Sequence, residues 1–441
     1  MFYAFVRAVV SFAIRLFYRV QVNRRPLPDG PVIFVGNHPN SLVDPALVFV
    51  ITSRPVTFLA KEPLFRMPLI GWLLRGLRVL PVYRKQDHPN GMAQNEGTFE
   101  AANRALADGG AITLFPEGKS HSEPGLAELK TGAARIALRA AKQGVAPKIV
   151  PVGLTYEEKS RFRSGVLIEI GEAIDSADFV AGEEVQRLTE ATERGLRSVT
   201  LNLEHWEDLP VVEAAEELYA FRVGEKAREP DRLRRFATGI QLFREEQPDR
   251  FASLRDEVMS FRSRLGLVHA STDDLTNLYR RSVVYRFILR NMAALFIGFP
   301  LFLIGVVLFA LPFWFPRFIN RAFRVEWDVQ ATVMLLSALT VSPLWAALLT
   351  LLAWHFVGPA FGVVAAVGCL PLALWTRYFY ERRKSALRDV RVFFTLGNRA
   401  RLKARLLVEG DRLAGEMEKL ADEYWERVDP SVPPKRTAAR S

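Results

Sequence analysis

The 441-residue chain has a single cysteine, six histidines and no nucleophile elbow. Because Cys369 is the single cysteine, a disulfide within the chain is excluded, and this cysteine lies in an apolar run. His88, His205 and His269 stand alone, without partners at metal-ligand spacing, and we therefore predict no metal site. A Gly-x-Ser-x-Gly pattern is also absent, which disfavours a serine nucleophile and an acyl-enzyme intermediate.

The N-terminal segment lacks the features of a secretory signal. Arg7, Arg15 and Arg19 interrupt its apolar residues, and no A-x-A-like cleavage site follows. Arg15 and Arg19 are four residues apart and share one helical face. This pattern predicts that residues 1–20 form an amphipathic helix at a membrane interface, with its arginines reaching the headgroups. The alternative is an amphipathic helix packed on its own domain.

Acidic residues are in the minority, and the formal net charge is +11. Such an excess indicates an anionic partner, namely nucleic acid, anionic lipid or a phosphorylated substrate. The apolar residues concentrate between Met292 and Trp375, which favours lipid over nucleic acid, so we predict no nucleic-acid partner. A chain of this length usually exceeds one hydrophobic core, and we expect two or three units.

Residues 21–205 alternate short β-rich runs with helical stretches. This alternation predicts an α/β domain, a mixed sheet with flanking helices. The predicted strands are Val32–Val35, Val56–Leu59, Leu77–Val82, Ile112–Phe115, Ile149–Leu154 and Val166–Ile170. The predicted helices are Leu64–Leu77, Gly91–Ala107 and Ala127–Lys142.

The rest of the chain is predicted to be helical. Residues 206–290 form a charged helical segment, with breaks predicted at Glu229-Pro230 and Gln247-Pro248. Residues 377–441 form a C-terminal helical segment with a disordered tail. Between them, 291–376 should hold two or three transmembrane helices, since stretches this long and this poor in charge can cross a bilayer. The apolar stretches are Asn291–Phe315, Val329–Trp354 and Phe356–Trp375. Arginines on both flanks favour the cytoplasmic side and an even number of crossings. Because there are three apolar stretches, the number of crossings stays open.

The first polar constellation is GNHPNSLVDP, residues 36–45, directly after a predicted strand. His38 can take a proton from an attacking hydroxyl if a carboxylate such as Asp44 fixes its tautomer. Two other interpretations stay open for this segment. Asp44, followed by Pro45, could be a helix N-cap, and His38 could be an ordinary turn histidine.

The second constellation, FPEGKSHS at 115–122, also ends a predicted strand. Gly118 would let the backbone approach a ligand. Ser120 would supply a hydroxyl hydrogen-bond donor, and Lys119 would supply a positive charge. Glu117 could hold an acceptor hydroxyl. The alternative is an ordinary turn.

Together, in this order and spacing, the blocks resemble the glycerolipid acyltransferase family, which includes glycerol-3-phosphate and lysophosphatidate acyltransferases. The resemblance covers roughly Pro31 to Ile174. It implies that His38 and Asp44 are the catalytic pair and that Arg84, at the end of the second block, helps to hold the acceptor phosphate. The matching blocks are Gly36–Pro45, Gly76–Arg84, Phe115–Gly118 with Ser120, and Val150–Leu154.

One spacing departs from the usual family pattern, because five residues instead of four separate His38 from Asp44. The longer form with a following proline is similar to a membrane subgroup that acylates glycerol-3-phosphate or dihydroxyacetone phosphate. The resemblance therefore implies a glycerol-3-phosphate acyltransferase of phospholipid biosynthesis. The first alternative is an acyltransferase for lysophosphatidate or another lysolipid, and the second is a non-catalytic lipid-binding membrane adaptor.

The resemblance also implies the substrates and the location. The acyl donor would be a thioester on coenzyme A or acyl carrier protein, and no bound cofactor is expected. The enzyme would be an integral membrane protein whose catalytic domain faces the cytoplasm and contacts membrane lipid. We predict the substrate-binding residues to be Arg84, Glu117, Gly118, Ser120, Lys61 and Arg163.

Overall fold

The computed structural model describes residues 1–23, 25–83, 95–182, 184–225, 227–276, 281–397 and 400–428. The chain divides into two compact units. The first, called here the sheet unit, comprises Met1–Leu201 and Pro316–Leu339. The second, called the helical unit, comprises Asn202–Phe315 and Thr340–Ser441. The sheet unit thus contains residues 1–20 and 316–339 in addition to most of the predicted domain 21–205.

The sheet unit is built on a mixed sheet, which confirms the predicted fold class. Its strand order is β1-β7-β6-β2-β5-β3-β4, with β8 paired to β6. The pairs β6–β7 and β6–β8 are antiparallel and the other pairs are parallel. The strands are β1 (Tyr18–Asn23), β2 (Val32–Gly36), β3 (Val56–Lys61), β4 (Leu80–Val82), β5 (Ala111–Leu114), β6 (Lys148–Tyr156), β7 (Ser164–Ile170) and β8 (Ile174–Asp175).

Helices cover both faces of this sheet. They are α1 (Phe2–Phe17), α2 (Val43–Ile51), α3 (Pro68–Gly76), α4 (Asn95–Ala107), α5 (Gly132–Lys142) and α6 (Val185–Arg197). Successive side chains of β2 enter opposite cores: Val32 and Phe34 join one, Ile33 and Val35 the other. A strand buried on both faces reads as a continuous apolar run, which is why β2 was recognisable in the sequence.

Several elements differ from the prediction. The predicted strand Leu77–Val82 begins only at Leu80, and the predicted helix Ala127–Lys142 begins only at Gly132. The N-terminal helix ends at Phe17, and Tyr18–Asn23 continues as β1, parallel to β7. The predicted helix Leu64–Leu77 is divided into a 3-10 helix, Glu62–Arg66, and α3, which begins at Pro68. Proline lacks an N–H and fixes its φ angle, so it starts a helix more readily than it continues one.

Helix α1 packs on its own sheet and also presents an apolar face to solvent. Ala13, Ile14 and Phe17 are buried in the core. Phe5 and Phe12 on the other face are 67% and 60% exposed. The packing alternative is therefore correct for the inner face, and the outer face remains available for the predicted membrane contact.

The helical unit is formed by α7 (Leu209–Val223), α8 (Pro230–Glu246), α9 (Pro248–Leu267), α10 (Thr272–Thr276), α11 (Arg281–Leu308), α14 (Pro359–Gly397), α15 (Ala400–Val428) and parts of α12 (Ala310–Ala322) and α13 (Gln330–Phe356). Pro230 and Pro248 begin their helices, in agreement with the predicted breaks. Buried Arg232 and Glu216 pair at 2.5 Å and connect α8 to α7.

Within the described residues, two helices are long and apolar enough to cross a membrane, Gln330–Phe356 and Pro359–Arg383. Gly298–Leu308 and Ala310–Ala322 are bent by 51° relative to each other. They would provide a third span only if the pair crosses the membrane as one unit. This agrees with the prediction of two or three transmembrane helices, although the first apolar stretch is bent rather than straight.

Candidate active site

The polar blocks meet at one edge of the sheet. Strands β2, β5 and β6 are parallel neighbours, so their carboxyl ends lie side by side. The first block follows β2 and the third follows β5, while β6 ends at Tyr156. The topology therefore brings together residues that are more than 110 positions apart in the chain.

His38 and Asp44 form a hydrogen-bonded pair, with 2.8 Å between Nδ1 and Oδ2. The Asp44 side chain is fully buried, whereas that of His38 is 19% exposed. Helix α2 begins at Val43 and its N-cap is Leu42, so the interpretation of Asp44 as the N-cap is wrong. The carboxylate is directed at the imidazole instead.

A tight turn accommodates the five-residue spacing. The amide of Val43 donates to the carbonyl of Asn40 at 3.0 Å, and Ser41 adopts a φ of +44°. This left-handed conformation is uncommon for a residue other than glycine. The pair does not lie on one regular helix, so the added residue does not rotate Asp44 away from His38.

Two further donors hold the Asp44 carboxylate. The Tyr156 hydroxyl donates to Oδ1 at 2.6 Å, and the backbone N–H of Asn40 donates to Oδ2 at 2.6 Å. Burial, with the neighbouring Asp44 charge, raises the pKa of Tyr156 well above its usual value. Tyr156 is therefore a protonated donor throughout the physiological pH range.

Phe115 fixes the plane of the imidazole. The His38 and Phe115 rings are stacked, with centroids 4.3 Å apart and planes inclined by 17°. With Nδ1 donating to the carboxylate, Nε2 carries the lone pair and can accept a proton. The arrangement has the geometry of a general base with its orienting acid.

Glu117 connects the first and third blocks. Its Oε1 accepts from the His38 amide at 2.7 Å, and its Oε2 accepts from the Ala127 amide at 2.8 Å and contacts the His121 ring. The His121 amide in turn donates to the His38 carbonyl at 3.1 Å. Because the Glu117 side chain is fully buried and both oxygens are engaged, this geometry favours a positioning role. Contact with an acceptor hydroxyl stays a prediction.

The other predicted substrate residues are dispersed. Gly118 has a φ of +73°, as its turn requires, and Ser120 Oγ donates to Asp328 Oδ2 at 2.5 Å. Lys61 is exposed at the end of β3, separated from β2 by β5. Arg163 donates to the Arg15 carbonyl at 3.2 Å, near the end of α1. Arg84 lies outside the described residues.

Several residues of the site were missed by sequence reasoning. Asn37 makes two hydrogen bonds to the Leu154 backbone and joins the first block to β6. Tyr18 accepts from Asn40 Nδ2 at 3.2 Å and donates to the Lys159 carbonyl. Asn37 and Asn40 were visible inside the first block, but Tyr18 carries no local signal.

No three His, Cys, Asp or Glu residues of the described ranges are grouped in a way that could hold a metal ion. The predicted absence of a metal and of a bound cofactor remains a prediction.

Comparison with known proteins agrees with this site. Residues 19–155 match the Acyltransferase family model. Glycerol-3-phosphate O-acyltransferases 1 and 2 of Saccharomyces cerevisiae are 31% and 36% identical over 36% and 28% of this chain. A chloroplastic 1-acyl-sn-glycerol-3-phosphate acyltransferase of Arabidopsis thaliana is 28% identical over 33% of this chain and 38% of its own length.

These similarities are partial. The chain covers only 23% and 18% of the lengths of the two yeast proteins. A crystal structure of a lysophosphatidate acyltransferase from Thermotoga maritima matches 45% of this chain and 79% of that chain, with 23% identity and a TM-score of 0.33. A resemblance at that score does not bear on function. The family match covers residues 19–155, which include the first and third blocks, and it is consistent with the glycerolipid acyltransferases that the sequence resembles.

Proposed function

We propose that the protein transfers a fatty acyl group from a thioester to the hydroxyl of glycerol-3-phosphate or dihydroxyacetone phosphate at a membrane. The observation that carries this proposal is the 2.8 Å contact between His38 and a fully buried Asp44. A buried carboxylate stabilises the imidazolium that forms when His38 takes a proton.

The chemistry needs no covalent enzyme intermediate. Nε2 of His38 accepts the proton of the acceptor hydroxyl while the hydroxyl oxygen attacks the thioester carbonyl carbon. The C–O bond forms, the C–S bond breaks, and the leaving thiolate receives the proton from the imidazolium. General-base assistance of this kind contributes about 10²–10⁴-fold to rate.

The acceptor assignment rests on two similarities. The longer His-to-Asp spacing resembles that of the membrane subgroup named above, and the yeast glycerol-3-phosphate O-acyltransferases are similar to this chain. A chloroplastic lysophosphatidate-type enzyme is also similar, so a lysolipid acceptor is the second candidate. A non-catalytic adaptor is disfavoured, because lipid binding alone does not require an oriented general base. The apolar helices would hold the enzyme in the membrane with its site facing the cytoplasm.

The test is an acyl-transfer assay on the full chain in lipid nanodiscs. Long-chain acyl-coenzyme A and acyl-acyl carrier protein are each offered with glycerol-3-phosphate, dihydroxyacetone phosphate or lysophosphatidate. Ester product from the first two acceptors, absent with His38→Ala, supports the proposal. Product from lysophosphatidate alone would move the assignment to the second candidate. Absence of product with every combination of donor and acceptor would refute the proposed acyltransferase activity.

A further inference from the structure

A turn from the apolar half of the chain reaches the third block. Residues 316–339 belong to the sheet unit, where Ala331 and Leu335 are buried in the core formed by β2, α1 and α2. The turn between α12 and α13 then places Trp327 and Asp328 beside the loop that follows β5. These residues lie far beyond 19–155, so the contact is not part of the family match.

The contact brings an acidic side chain next to two hydroxyls and an ammonium. Asp328 is 8% exposed, and its Oδ2 accepts from Ser120 Oγ at 2.5 Å. Lys159, in the turn between β6 and β7, is 6% exposed. Its Nζ lies 3.3 Å from Ser122 Oγ and 4.6 Å from the centre of the Trp327 ring.

The charge of Lys159 is only partly compensated. Within the described part of the chain, no carboxylate oxygen lies within 4 Å of its ammonium. Burial lowers the pKa of Lys159, and the charges of Asp44 and Asp328 act in the opposite direction. A buried ammonium without a close anion is costly, so the site favours a ligand that brings negative charge.

A phosphate monoester matches these groups better than a carboxylate does. It has three terminal oxygens and a charge of about −1.5 to −2, whereas a carboxylate has two oxygens and a single charge, so one phosphate can accept from two hydroxyls and an ammonium together. The Asp328 carboxylate satisfies one hydroxyl, Ser120, and remains beyond ion-pair distance of Lys159.

We propose that Ser120, Ser122 and Lys159 form a phosphate-binding subsite of the active site, and that Asp328 occupies it until a substrate binds. This proposal rests on the proposed function, because both substrates of that reaction carry phosphate. The ligand is the phosphate monoester of the acceptor or the phosphate of the donor's phosphopantetheine arm. Asp328 and Trp327 are positioning residues, and Lys159 contacts the ligand.

The strand order separates this subsite from Lys61, one of the substrate-binding residues predicted from the sequence. Lys159 follows β6, on one side of β2, and Lys61 ends β3, on the opposite side of β2 beyond β5. His38 lies between them at the end of β2. Lys159 and Lys61 therefore lie on opposite sides of the base, and Lys61 does not belong to the proposed subsite.

The test measures binding without turnover, in the full chain carrying His38→Ala. Glycerol-3-phosphate, coenzyme A and inorganic phosphate are titrated separately by calorimetry. Lys159→Met is expected to raise the Kd of one of the two organic ligands by roughly 10- to 100-fold, the range for a lost hydrogen bond between charged groups. The affected ligand identifies the source of the phosphate.

Asp328→Asn is the decisive variant. If the carboxylate competes with substrate, its removal lowers the Kd for the same ligand by about threefold or more. Glu326→Gln, a loss of the same charge at an exposed neighbouring position, is the control and should leave the Kd unchanged. In the background with His38 intact, the KM of that substrate should change in parallel with the Kd.

Two results would overturn the proposal. A Kd unaffected by Lys159→Met for every ligand would exclude the subsite, and a Kd that is unchanged or higher in Asp328→Asn would make Asp328 structural. Should Lys159→Met fail to fold, the direction of change in Asp328→Asn decides alone. Failure of the proposed function would be seen separately, as absence of ester product from the unmodified protein.

Discussion

The hydroxyl of Tyr156 lies 2.6 Å from Oδ1 of Asp44, on the side of the carboxylate opposite to His38. Tyr156 ends β6 and Asp44 stands in the first turn of α2, so two distant segments complete the orienting acid. Asp44 is thereby held by three protein donors, and its charge is directed at one imidazole nitrogen.

Tyr156→Phe is expected to lower kcat by about 3- to 10-fold, which corresponds to about 0.7–1.4 kcal/mol, the usual net contribution of one hydrogen bond. Without that donor, the Asp44 carboxylate is held by one hydrogen bond fewer and orients the imidazole less well, so kcat should fall while the KM values stay unchanged. Tyr424→Phe, in the helical unit, is the control. An unchanged kcat would leave Tyr156 with a packing role only.

His38→Ala should reduce transfer by about 10²–10⁴-fold while the unfolding temperature stays close to that of the unmodified protein. The measurement is initial rate at saturating substrates, together with a thermal melt. A loss smaller than tenfold would remove His38 from the mechanism.

Asp44→Asn should reduce kcat by a comparable factor, because an amide cannot hold the required imidazole tautomer. Leu42 is the N-cap of α2, so the loss cannot be attributed to capping. Full activity in this variant would assign Asp44 a structural role only.

Glu117→Gln should lower stability by about 1–3 kcal/mol, because an amide replaces one of two oxygens that accept backbone or ring donors. For a unit of this size, each kcal/mol corresponds to roughly 2–4 °C in Tm. Exposed Glu158→Gln serves as the control. An unchanged Tm with a raised KM for the acceptor would instead favour the substrate-binding role predicted from the sequence.

Arg84→Ala should raise the KM for the phosphorylated acceptor, and Arg84→Lys should raise it less, with little change in the KM for the thioester. A guanidinium can engage two phosphate oxygens at once, whereas an ammonium keeps the charge and loses that geometry. If Arg84→Ala instead raises the KM for the thioester and leaves the KM for the acceptor unchanged, Lys61 becomes the better candidate for binding the acceptor phosphate.

The outer face of α1 should contact lipid. In a Cys369→Ala background, Phe12→Cys carrying an environment-sensitive fluorophore should be quenched by brominated lipids, and Gln186→Cys on α6 should not. Phe12 is 60% exposed, and its helix packs its other face on the sheet. Equal quenching at the two positions would contradict membrane contact by α1.

The sequence alone determined the elements that have a local signal. Apolar runs predicted β2 and β6, because a strand buried on both faces needs no alternation. Pro230 and Pro248 marked helix starts, and long uncharged stretches marked the membrane helices. The order of the polar blocks identified His38 and Asp44 as a candidate pair.

Tertiary structure decided the remaining features, because they depend on contacts between distant residues. Tyr18–Asn23 becomes a strand only through pairing with β7, since its own pattern also suits the end of an amphipathic helix. Tyr156 acquires its role because β6 is the parallel neighbour of β2. Asp328 meets Ser120 across 208 positions, and no local periodicity or spacing encodes that contact.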